Sequence, residues 1–199
     1  MKGQRLIIGV AHVAEEELNQ VKNFVSKCSP SNVGLELPED HKQRKEYGIS
    51  TFFFSDLDDY LESIKIEVLC LESPVAWNAH HTADIARSVM EGKTKKEDLE
   101  MELRRMNSIM ARSGNYMAPE CLYQLGFFME MYNGALEILA KYTTLEGVME
   151  LWNHLNLERE SHVSRRISKD QPDIVVIGDA HARKLKNLAP GYGYARLYP

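Results

Sequence analysis

Short apolar runs and long amphipathic stretches divide this chain between them. Leu6–Val10, Val33–Leu37, Ile66–Leu71 and Asp173–Ile177 are brief and mostly apolar. Runs of that length without polar alternation predict strands buried on both faces, and so a parallel or mixed sheet covered by helices. Tyr194–Tyr198 extends the pattern to a fifth strand. Between the first two runs, Val13–Lys27 carries Leu18, Val21 and Val25 at helical spacing, with Glu15, Glu16 and Glu17 suited to a first turn. This predicts a β-α-β unit with a right-handed crossover.

The middle of the chain has the longer period. Thr94-x-x-Glu97 matches a capping box before Leu99, Leu103, Met106 and Met110. Pro119 suits the first turn of a second helix through Leu122, Leu125, Met129, Tyr132, Leu136 and Leu139. Thr143-x-x-Glu146 opens a third through Val148, Leu151, Trp152 and Leu155. Stripes of Met and aromatic residues at this spacing read as core. The pattern predicts an α/β (α+β) fold in one domain, residues 1–199. A mixed, largely parallel central sheet carries covering helices, and residues 79–166 form a helical middle insertion.

Composition changes this picture little. At 199 residues, 44% hydrophobic and 27% charged, the chain resembles an ordinary globular domain. A net charge of −5 argues against a nucleic-acid partner, whose footprint is basic. The apolar run near the N-terminus is too short for a signal peptide or a membrane span, so a cytoplasmic protein without a membrane partner is expected. Cys28, Cys70 and Cys121 are odd in number and lack a C-x-x-C pair. No disulfide framework is expected, and all three read as small core residues. An oligomer is compatible with the sequence.

The chemistry lies at the strand ends. G-x-A-H follows an apolar run twice, at Gly9–His12 and Gly178–His181. The second run ends at Glu36 and the third at Glu72. In open α/β sheets ligands bind beyond the carboxyl ends of the strands, so parallel neighbours would bring two imidazoles and two carboxylates to one rim. Gly9 and Gly178 are expected to allow a sharp turn and a close approach to the backbone. Glu36, between Leu35 and Leu37, carries a carboxylate into a buried run, where it needs a partner. His80 and His81 follow the third run, but adjacent helical histidines point about 100° apart and do not suit one metal. His41, His154 and His162 read as surface or packing residues. Neither G-x-S-x-G nor H-E-x-x-H occurs.

Taken in order, these segments resemble the TraB/PrgY/GumN family, which is related to the TIKI proteases and more distantly to erythromycin esterases and ChaN haem-binding proteins. GVAHV at 9–13 resembles the family's G-T-x-H-V, GLEL at 34–37 its V-E-L strand, and LES at 71–73 its L-E-T. RESHVSRRI at 159–167 resembles its R-N-x-x-M-A-x-x-I helix, with Glu160 in place of Asn and Val163 in place of Met. GDAHARKL at 178–185 and GYGYARL at 191–197 resemble its G-x-G-H-L and closing G-Y turn.

The resemblance implies a divalent-metal-dependent hydrolase of the metalloprotease type, acting on a peptide or small acyl substrate. His12, Glu36 and His181 become the metal-ligand candidates, with Mn²⁺, Co²⁺, Zn²⁺ or Fe²⁺ suited to imidazole and carboxylate. Glu72 is then a general base or a partner that orients a histidine. Arg159 holds a substrate carboxylate or an oxyanion, or forms an ion pair with Glu36 or Glu72. Two alternatives stay open. One is a metal-independent esterase-like hydrolase with His12 as base and Glu36 orienting it; the other is a non-catalytic peptide- or haem-binding protein.

Overall fold

A computed structural model describes residues 5–12, 14–46, 52–113 and 117–197. The described chain divides into two compact units, one of residues 1–41, 50–73 and 159–199 and one of residues 42–49 and 74–158. The first unit is an all-parallel sheet in the order β3-β2-β4-β1-β5. Its strands are β1 (Arg5–Val10), β2 (Asn32–Pro38), β3 (Glu67–Glu72), β4 (Ile174–Gly178) and β5 (Tyr192–Arg196). The fifth strand starts earlier than Tyr194, and Tyr198 lies outside the described residues.

Side chains of each central strand alternate between two apolar layers. Ile8, Val10, Val33, Leu35, Leu37, Ile174 and Val176 pack with Leu18, Val21 and Val25 of α1 (Glu15–Cys28) and with Phe53, Phe54, Leu57 and Leu61 of α3 (Phe52–Ser63). Ile7, Val175, Ile177 and Leu71 pack on the other side with Val163 and Ile167 of α7 (Leu145–Asp170) and with Ala182 and Leu185 of α8 (Asp179–Leu188). Burial on both faces explains why the strands read as continuous apolar runs.

Strand order and helix placement agree. The connections through α1 and α3 step towards β3, whereas the returns through α7 and α8 step towards β5. With one crossover hand, opposite steps must put their helices on opposite faces. The direction reverses between β1 and β4, which are hydrogen-bonded neighbours with Val10 opposite Gly178. That reversal is the topological switch point, where open α/β sheets bind ligands. Both G-x-A-H phrases end there.

The sequence pattern assigns nothing between Leu37 and Ile66, where the structure has α2 (His41–Glu46) and α3. The apolar face of α3 opens on consecutive phenylalanines, a pattern that mimics a strand. The second unit contains α4 (Pro74–Met90), α5 (Lys96–Ser113), α6 (Pro119–Lys141) and α7 as far as Glu158. Ala86, Ala135 and Val148 form its buried centre. Pro119 opens α6 as expected. The cap of α7 is instead Thr144, whose hydroxyl accepts the Gly147 N–H at 3.2 Å, while the Thr94 hydroxyl pairs with Ser88.

Candidate functional site

The backbone after β1 is held in an uncommon shape. His12 has φ 48°, in the left-handed region that side chains disfavour by about 1 kcal/mol. Glu17 offsets this cost. Its buried carboxylate accepts the N–H of Ala11 at 2.7 Å and of His12 at 2.8 Å. Glu17 sits on the inward face of α1 beside Leu18 and Val21, which distinguishes it from Glu15 and Glu16. The His12 side chain is left exposed at the rim, with its ring 5.8 Å from that of Phe54.

The two motif glycines serve close approach rather than turning, since neither has positive φ. A methyl group on Gly9 would meet Asp179 Oδ1 at 2.5 Å and the Asp179 Cα at 3.1 Å. Gly9 thus seats the first turn of α8 directly over β1, and Tyr194 and Arg183 tie down the Asp179 carboxylate. Gly178 does the same for the site itself. A methyl group there would meet Glu36 Oε2 at 3.2 Å and His12 Nε2 at 3.6 Å.

Glu36 lies at the centre. It points from β2 away from Val33, Leu35 and Leu37, and both its oxygens are engaged. Oε2 accepts the Gly178 N–H at 2.5 Å, and Oε1 accepts from Arg159 Nη2 at 2.5 Å. Arg159 Nε donates to Glu72 Oε1 at 2.7 Å. One guanidinium therefore bridges the two strand-end carboxylates, and all three residues are buried. Burial alone would weaken the charge on Arg159, but Glu72 and Glu36 outweigh it and hold its pKa above the ordinary value.

Glu72 is perturbed as well. Its Oε2 is buried without a hydrogen-bond partner. Desolvation pushes its pKa up to about 7, against the pull of Arg159. Because this native value exceeds the unfolded value of 4.5, the native state keeps a proton that the unfolded chain gives up. Stability from this group is complete below pH 4.5 and falls as pH rises towards 7, by about 3 kcal/mol in all. Glu72→Gln should flatten that decline. Urea unfolding at pH 5 and pH 8 measures it, and an equal decline in both proteins would contradict the assignment.

His181 lies in the first turn of α8 rather than in a loop. Its Nδ1 lies 3.2 Å from Glu160 Oε1, and Lys184 Nζ donates to the same oxygen at 2.6 Å. Its Nε2 lies 4.0 Å from Glu36 Oε1. Glu160, adjacent to Arg159 on α7, is the residue that sequence reasoning passed over. Only its place beside an arginine already singled out could have pointed to it. Glu72, Arg159, Glu160 and His181 line one cleft with Val163, Ile177 and Leu185, too narrow to hold a water molecule.

Arranged this way, His12, Glu36 and His181 do not fit a divalent metal. Glu36 already satisfies a guanidinium and a backbone N–H, and Arg159 takes the cation's place between the carboxylates. Among the described residues, only Asp58, Asp59 and Glu62 bring three potential ligand atoms within 4.8 Å of one another. Glu36 does not orient His12 either, because its oxygens face Gly178 and Arg159. His80 and His81 belong to α4 of the second unit, where their rings lie against Trp152 and Trp77. Cys28 and Cys121 are exposed, and only Cys70 is partly buried. No described helix is long and apolar enough to cross a membrane. No protein-family model, no curated protein and no solved structure matches this chain.

Proposed function

We propose that this chain is a hydrolase of peptide or related acyl bonds, working by acid–base chemistry at the sheet's switch point. The observation that carries this reading is His181, an imidazole oriented by a buried carboxylate at Nδ1, with Nε2 4.0 Å from the Glu36 carboxylate. A base held by a third group is the arrangement that activates water for acyl transfer. His181 Nε2 takes a proton from water, the hydroxide adds to the acyl carbon, and the bond to the leaving group breaks. The His181 imidazolium then gives that proton to the leaving group, and His12, exposed beside Gly178, adjoins the site. Glu36 stabilises the imidazolium that forms on His181, while Arg159 and Glu72 fix Glu36 in place. The resemblance to TraB-type hydrolases selects acyl bonds among the reactions such a base serves.

A panel of peptide and ester substrates tests this. Turnover should survive a chelator, and Mn²⁺, Co²⁺, Zn²⁺ or Fe²⁺ should leave the melting temperature unmoved. A metal-dependent rise that the chelator reverses, lost in His12→Ala and His181→Ala, would establish the metal-dependent reading instead. Binding of a peptide without turnover on any substrate would make the protein a binding module.

A further inference from the structure

A second group of reactive side chains lies on the α1/α3 side of the sheet. His41, at the start of α2, is buried and has three polar neighbours. Its Nε2 lies 3.0 Å from Asp58 Oδ2 on α3. Its Nδ1 lies 3.1 Å from the Pro38 carbonyl and 3.3 Å from Cys70 Sγ on the edge strand β3. A carboxylate and a carbonyl accept only, so both ring nitrogens must donate, which requires the imidazolium. The Asp58 hydrogen bond, followed by that of Cys70, pushes the His41 pKa up to about 10, in keeping with a charged ring at neutral pH. Asp58 Oδ1 is buried without a hydrogen-bond partner, and Oδ2 is the oxygen that faces His41.

The same Nδ1–H, shared with the Pro38 carbonyl, faces Cys70 Sγ, and a cation beside the sulfur stabilises the negative charge it carries when it acts as a nucleophile. We propose that Cys70, His41 and Asp58 form a second reactive centre, in which the Cys70 thiolate is oxidised by small hydroperoxides. The sulfur attacks the terminal oxygen, an S–O bond forms and the O–O bond breaks. Sulfur loses two electrons to become a sulfenic acid, and the peroxide is reduced. The departing alkoxide or hydroxide takes the Nδ1 proton of His41 and leaves as an alcohol or water. A partly buried sulfur on an edge strand admits a reagent of this size.

Cys28 and Cys121, both exposed, are internal controls in the intact protein. A free thiol is only about 3% thiolate at pH 7, so a Cys70 thiolate should be alkylated by iodoacetamide about tenfold faster than either, despite its lower access. Peptide-resolved mass spectrometry reads the three rates. Hydrogen peroxide followed by dimedone should label Cys70 first. His41→Gln and Asp58→Asn should slow Cys70 and leave the other two unchanged. Should those variants fail to fold, the unmodified protein decides, because Cys70 should still outpace both exposed cysteines at pH 7. A Cys70 rate no greater than those of the exposed cysteines would overturn the proposal.

Discussion

Arg159→Met removes about 3–5 kcal/mol of stability at pH 8, measured by urea unfolding. Arg159 is 6% exposed, and its guanidinium is the shared partner of Glu36 and Glu72. Methionine fills much the same volume, so the loss is electrostatic rather than a cavity effect. It leaves two buried strand-end carboxylates without their shared cation, so one must take up a proton or both bear the repulsion. Two further results separate this account from simple mispacking. At pH 5 the loss shrinks, because Glu72 is then protonated and only one carboxylate lacks a partner. Adding Glu36→Gln and Glu72→Gln to Arg159→Met restores most of the stability, since removing every charge is far cheaper than removing one partner. A loss below about 1 kcal/mol would mean that solvent or another cation reaches the carboxylates.

The strands and the carboxyl-end rim were legible because local features determine them. Unbroken apolar runs identify strands covered on both faces, and a chemistry-bearing residue just past each run falls at the same edge of a parallel sheet. That β1 and β4 would be neighbours was not legible, since strand order depends on which helices cover which face. The partner of Glu36 was narrowed to a cation or an arginine, and the fold supplies the arginine. Glu17 and Glu160 were missed for one reason. A carboxylate in a helical first turn, or next to an arginine, has a common solvated explanation, and only tertiary packing turns it inward. From sequence His41 reads as a surface or packing residue, yet its ring is defined by Asp58 and Cys70, 17 and 29 positions away. Cys28 and Cys121 were expected in the core because cysteine usually is, but each ends up on a solvent-facing position of its helix.

His181→Gln lowers kcat/KM by about 10²–10⁴-fold on any substrate the protein hydrolyses, the range for losing a positioned general base. Glutamine keeps a similar length and polarity, but it cannot take a proton from water. The His181 side chain is 20% exposed and packs at the mouth rather than in the core, so the melting temperature should move little. Glu160→Gln distinguishes a base–orienter pair from an isolated histidine. The amide oxygen can still accept from Nδ1, but it no longer stabilises the positive charge that grows on the ring during proton transfer. Its loss should therefore be smaller, about tenfold, and confined to kcat with KM unchanged. The double variant should be no slower than His181→Gln alone, because Glu160 acts only through His181. Multiplying effects in the double variant would show that Glu160 serves substrate or structure independently. Undiminished turnover in His181→Gln would move the base to His12, whose exposed ring beside Gly178 and Glu36 is the remaining imidazole at this rim.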